Sequence, residues 1–189
     1  ASRSLDLAKH QQLLRGWLVT LAGIVAELAL DELDDIIALT GRINQLEKRI
    51  SQLVADRAPS LLALPGCGPL TAAKLVGETA GIGRFADEAK FARHAGIAPI
   101  PVWSGRTEGR VRMTRSGNRQ LNCAIHRIAV TQLRDKDGLG RKYYDKKTDQ
   151  GMSKTEALRC LKRRLARIVF NTLKTDHLNR AATCVPVAA

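Results

Sequence analysis

Residues 34–54 read DDIIALTGRINQLEKRISQLV. Ile36, Ile43 and Ile50 alternate with Leu39, Leu46 and Leu53 in strict three–four spacing. That is a heptad pattern with isoleucine at a and leucine at d, the pairing that favours two-stranded parallel coiled coils. The seam predicts a long helix that self-associates over residues 36–53, and packing within one chain is the alternative. Asp31, Glu32, Asp34 and Asp35 crowd the residues just before it. In a first helical turn they meet the positive end of the helix dipole. This reading is preferred to a metal site, because neighbouring side chains on a helix diverge. Pro59 ends the helix, since its ring cannot continue the hydrogen-bond ladder.

Upstream, Leu7, Leu14, Leu18, Leu21, Val25 and Leu28 lie near helical spacing, interrupted by Gly16 and Gly23, so residues 5–30 read as one or two helices. Composition agrees. With 44% hydrophobic and 26% charged residues the chain buries a core, and only 4% aromatics argues against an all-β sandwich. The expected fold is mainly α: long N-terminal helices with a coiled coil, then a compact helical domain. That domain is expected to hold a helix-hairpin-helix-like motif and a short extended or hairpin segment. No run approaches the ~18 apolar residues of a membrane span, and Ala1 to Lys9 lack the layout of a signal peptide. Cys67, Cys123, Cys160 and Cys184 show no metal-ligand spacing, nor do His10, His94, His126 and His177. The expectation is a cytoplasmic protein with reduced thiols, no membrane partner and no metal site of its own.

Downstream, the charge changes. The whole chain of 189 residues carries +13. Residues 1–58 hold seven basic and eight acidic side chains, whereas residues 59–189 hold 24 basic and ten acidic. A basic surplus confined to one part of a chain is the footprint of a polyanion partner. Nucleic acid is the expected one, and an anionic membrane surface is the weaker rival. The domains expected are a helical linker over 1–58, a basic domain over 59–176 and a frayed tail over 177–189.

Within the basic part, Pro65-Gly66-Cys67-Gly68 forms a tight turn and Pro69 sits where a helix begins. Such a hairpin aims backbone N–H groups at a phosphate, although an ordinary helix connector has the same look. Asp87 to Ala95 read as a short helix. Pro99, Pro101, Gly105 and Gly109 keep residues 96–115 out of a long helix. Ser116-Gly117-Asn118 opens a helix to about Arg134, with Ser116 best explained as its cap. Residues 135–151 read as a polar connection with a short helix around Tyr143. Ser153 and Glu156 form a capping box for the last helix, whose Arg159, Arg163 and Arg167 share a face beside Lys162. Taken alone, that basic face is an ordinary solvated one.

Three blocks in order carry a resemblance. They are Leu64-Pro-Gly-Cys-Gly-Pro-Leu-Thr-Ala72, then Phe91-Ala-Arg-His-Ala-Gly-Ile-Ala-Pro99 followed by Trp103-Ser104-Gly105, then the arginine-rich stretch Gly109 to Leu121. The set resembles the C-terminal part of bacterial insertion-sequence transposases of the DEDD/serine, bridge-RNA-guided class, over residues 60–175. The heptad helix resembles that family's coiled-coil linker. The resemblance implies an N-terminal RuvC-like domain, for which residues 1–30 have no room, whose acidic residues hold Mg²⁺ in the complete enzyme. It also implies a C-terminal serine that attacks a DNA phosphodiester, which on this chain is Ser104. Relatives often carry Ser-Ser-Gly where this chain has Trp103-Ser104-Gly105; Ser116 is the second choice.

The expected function is therefore the DNA-binding C-terminal portion of a transposase, with Ser104 as nucleophile in strand cleavage and transfer. A guide RNA is a further partner implied by the resemblance. The nucleic-acid-binding set is Gly66, Gly68, Thr71, Lys74, Arg106, Arg110, Arg112, Arg115, Asn118, Arg119, Arg159, Lys162, Arg163 and Arg167. The alternative is a binding module of helix-hairpin-helix type without enzymatic activity.

Overall fold

The computed structural model describes residues 7–109, 111–113 and 116–183. Helix α1 spans Ala8–Leu18, and α2 runs unbroken over Ile24–Arg57. The two are parted by a turn at Gly23, whose φ of +109° a side chain would resist. The acidic run is therefore not a helix start. Residues 26–30 are good helix formers, so α2 begins before the acidic run, with Glu27 as the acidic residue of its first turn. Asp34 instead forms an ion pair with Arg15 of α1. By packing, the chain divides into residues 1–50 and 51–189, a boundary inside α2 rather than at Pro59, where the composition changes.

In the first unit Leu18, Ala26 and Leu33 are buried. The heptad seam is not. Leu39, Ile43, Leu46 and Leu53 each keep more than half of their surface exposed.

The second unit is built on α8, Lys154–Thr183. Its capping box forms as the sequence predicts: Ser153 N–H and Oγ donate to Glu156 Oε2 at 3.0 and 2.6 Å, and Glu156 N–H donates back to Ser153 Oγ at 3.3 Å. The helix continues to Thr183, with Leu173 and Asp176 buried and residues 177–182 exposed. Around α8 pack α3 (Pro59–Leu62), α5 (Glu88–His94), α6 (Arg119–Arg134) and α7 (Leu139–Asp149), while α4 (Pro69–Thr79) packs on α6. Leu61, Leu75, Phe91, Leu121, Ile125, Ile128, Leu161, Leu165 and Val169 form the core. The connection after residue 135 is more helical than expected, with α7 eleven residues long. Two strands, β1 (Pro99–Pro101) and β2 (Val111–Met113), pair antiparallel with Ile100 opposite Arg112. The chain is mainly α, as its sequence predicts.

Candidate nucleic-acid interface

The Pro/Gly-rich stretch folds into a hairpin. β1 and β2 hold its base, a 3-10 turn at Gly105–Thr107 shapes its loop, and Ser104 sits exposed just before that turn. Arg106 and Arg112 are exposed on the same hairpin, while Arg110 and Arg115 lie outside the described residues.

The next block serves a different end. Ser116 does not cap α6. Asn118 does, its Oδ1 accepting from Leu121 N–H at 2.9 Å while its Nδ2 donates to Glu78 at 2.6 Å. The reason is backbone crowding: Gly117 crosses Gly96 so closely that a Cβ on it would stand 2.7 Å from Gly96 N. That crossing places residue 118, not 116, at the helix entrance, where its N–H donates to His94 O at 2.7 Å. Asn122 completes the joint by donating to Ala95 O and Gly96 O. The second and third blocks are thus one interlocked corner, and Asn118 ties it to Glu78 of α4.

Gly66 also has a packing role. Its φ is +83°, and a Cβ there would meet Ile128 O and Thr131 at 3.1 Å, so the turn lies against α6. Gln132 of α6 clasps the turn by donating to Pro65 O at 2.8 Å. Gly68 is exposed and caps α4 without a side chain, which leaves the N-terminal N–H groups of α4 without side-chain acceptors there. Thr71 and Lys74, in the first turns of α4, are half-buried. The thiol of Cys67, buried beneath the turn, is pushed up to about 11 by loss of solvent.

On α8, Glu88 of α5 organises the arginine face. It accepts from Arg163 Nη2 at 3.2 Å and Arg167 Nε at 2.5 Å. These partners, the Arg167 hydrogen bond foremost, hold its carboxyl below the usual carboxylate range. Lys162 turns inward and donates to Asn122 Oδ1 at 2.5 Å, and burial lowers its ammonium below the ordinary lysine value. Arg119 is exposed at the start of α6 and Arg159 on α8. A cleft of about 1090 Å³ opens between the hairpin base, α7 and α8, lined by Arg112, Arg159, Arg163, Arg164 and Arg167 among others. The structure thus brings four of the expected residues, Arg112, Arg159, Arg163 and Arg167, to one wall. It leaves Gly66, Gly68, Thr71 and Lys74 in a separate hairpin.

Glu88, Arg164 and Tyr143 belong to this region and were not foreseen. Arg164 lies off the i, i+4 row of the other arginines. Glu88 reads from sequence only as a first-turn acid, because its partners are 75 and 79 residues away. Among the described residues no group of three or more His, Cys, Asp or Glu side chains is placed to hold a metal. No described helix is long and apolar enough to cross a membrane.

Residues 58–145 match the Transposase IS116/IS110/IS902 family. The match runs from the end of α2 through the hairpin and α6 into α7. Over 180 residues the chain is 29% identical to the 44.8 kDa protein of insertion element IS116 from Streptomyces clavuligerus, covering 94% of this chain and 44% of that protein. It is 30% identical over 170 residues to the 42 kDa protein of insertion element IS900 from Mycobacterium paratuberculosis, covering 88% and 41% respectively. It is 34% identical over 149 residues to the 43.6 kDa protein of insertion element IS110 from Streptomyces coelicolor, covering 76% and 36%. The chain therefore spans less than half the length of these relatives. The matched residues contain all three sequence blocks.

Proposed function

We propose that this chain is the DNA-binding C-terminal portion of a transposase and that Ser104 supplies the nucleophile for strand cleavage and transfer. The observation that carries the reading is Ser104 on an exposed loop of a basic hairpin, inside the transposase-family segment. A hydroxyl that attacks a phosphodiester must be reached by a bulky polymer, and an exposed loop allows that. In the step proposed, the Ser104 Oγ–P bond forms as the P–O bond to the departing strand breaks. The serine proton passes to solvent and the departing oxygen takes one up. Arg106, with Arg110, Arg112 and Arg115 further along the same stretch, supplies positive charge toward the phosphate, where charge builds in the transition state.

Serine is weakly nucleophilic at its free pKa, and no histidine or aspartate lies near Ser104 in sequence. Activation is therefore assigned to groups outside this stretch of sequence. DNA, and a guide RNA, are the partners proposed for the basic unit, with self-association through the heptad seam.

The test is a covalent trap in a full-length relative carrying this chain as its C-terminal part. A protein–DNA adduct that maps to Ser104, and is lost in Ser104→Ala, is the expected result. An adduct at Ser116 moves the nucleophile. Normal recombination by Ser104→Ala without any adduct removes the serine mechanism and leaves a DNA-binding module.

A further inference from the structure

The arginine-lined cleft has a second character that phosphate binding alone does not use. Besides its five arginines it is walled by Ile97, Pro99, Tyr143, Met152 and Ile168. Arg164 lies 4.7 Å and Lys147 5.9 Å from the centre of the Tyr143 ring, so the aromatic side chain sits in a cationic surrounding. Arg163 is fixed by Glu88 through one nitrogen, while its Nη1 is buried without a hydrogen-bond partner among the described residues. An unsatisfied buried donor is uncommon in a folded protein and calls for an explanation such as an absent ligand. The volume, about 1090 Å³, exceeds that of small-ligand pockets, roughly 300–1,000 Å³.

A duplex offers such a site its phosphates and groove edges, but its base faces are shut in the stack. The aromatic and apolar wall would gain little from it. An unpaired strand offers both chemistries: phosphates for the arginines and base faces for an aromatic and apolar wall. We infer that this cleft binds a short unpaired stretch of nucleic acid, bases against Tyr143 and Met152, phosphates on Arg159 and Arg163. The inference rests on the nucleic-acid-binding reading above and adds which form of nucleic acid this site takes. β1 and β2 contribute Pro99, Val111 and Arg112 to the cleft. A strand seated there lies at the base of the hairpin whose loop carries Ser104.

The experiment uses the full chain and fluorescence anisotropy at low salt. The probes are oligothymidylate and oligouridylate of about ten nucleotides, and a DNA duplex of the same length. Tyr143→Ala is expected to weaken single-strand binding roughly 5- to 150-fold, the range given by loss of one base–aromatic stack. Duplex binding should be unchanged, and Tyr143→Phe should bind like the parent. Arg163→Gln should lower the single-strand salt slope by about 0.7. Preference between the two oligonucleotides assigns DNA or RNA as the strand. As a readout independent of folding, iodouracil-substituted oligonucleotides should crosslink the unsubstituted chain within residues 143–152. Crosslinks confined elsewhere, or a Tyr143→Ala variant that loses single-strand and duplex binding equally or neither, overturn the inference. Absence of all nucleic-acid binding at low salt would instead remove the reading beneath it.

Discussion

At the scale of single residues, two positions two apart in sequence are expected to behave differently. Asn118 caps α6 and also bonds Glu78, while Ser116 is exposed beside the Gly96–Gly117 crossing. Asn118→Ala removes both bonds and should cost about 1–2 kcal/mol of stability in denaturant titration. Ser116→Ala, a surface change, should stay within about 0.5 kcal/mol. A larger loss for Ser116 than for Asn118 would refute this assignment of the cap. The sequence Ser-Gly-Asn offers two good caps, and local preference does not choose between them. A contact 21 residues back in the chain does, since it is Gly96 that fixes where Gly117 lies. Ser104 poses the complementary case. Its exposure was legible from the prolines and glycines around it, because they deny the stretch a helix. Ser104→Ala should therefore leave the melting temperature and DNA affinity of this chain nearly unchanged, while abolishing strand transfer in the full-length protein. A clear loss of stability in that variant would show a structural role instead.

At the scale of elements, the heptad seam is the clearest case of a pattern legible in sequence whose partner is not. Periodicity decides that α2 is a helix and which stripe is apolar. It does not decide what covers the stripe, and among the described residues most of it stays uncovered: Ile43 is 54% and Leu46 56% exposed. Burying such a stripe against a second copy is favoured by roughly 25 cal/mol per Å² of apolar surface. Ile43→Asp with Leu46→Asp would place charges in that interface, where an unpaired ion costs several kcal/mol. Light scattering should report a self-associating parent and a smaller variant with unchanged helical circular dichroism. A parent that is already monomeric at the same concentration excludes the parallel pair. The start of α2 was misjudged for a related reason. Acidic residues favour a first turn but do not require one, and a run of good formers before them extends the helix. Conversely, the capping box at Ser153 was read correctly because both of its partners lie within one turn.

At the scale of the whole molecule, charge is the property that sequence states best and placement is the one it states least. The count of 24 basic residues after position 58 predicts a polyanion partner. Only the fold shows that Arg112, Arg159, Arg163 and Arg167 share a cleft while Asn118 and Lys162 are spent inside the unit. Nucleic-acid binding should accordingly weaken with salt, with a slope in log K against log salt near −0.9 for each duplex phosphate neutralised and near −0.7 for each phosphate of an unpaired strand. Arg163→Gln, Asn118→Ala and Lys162→Gln separate the two groups: only the first should reduce that slope. Acid should act on the fold itself, in two steps. Burial, then Arg84, holds His94 below the ordinary imidazole value, and burial, then Lys162, does the same for His126. Both folded-state values are depressed, so the unfolded chain takes up protons first. Their contribution to stability is complete above about pH 6.5 and is lost as pH falls from there through the lowered values. The depressed carboxyl of Glu88 acts lower. Its contribution is complete above the usual carboxylate value, near 4.5, and is lost as pH falls through its folded value. Melting temperature should thus hold steady at neutral to mildly alkaline pH, decline below about 6.5, and decline again below about 4.5. His126→Gln should flatten the upper decline and leave the lower one. A melting temperature that stays level between pH ~7 and ~5 in the parent chain would show that neither imidazole is held neutral by the fold.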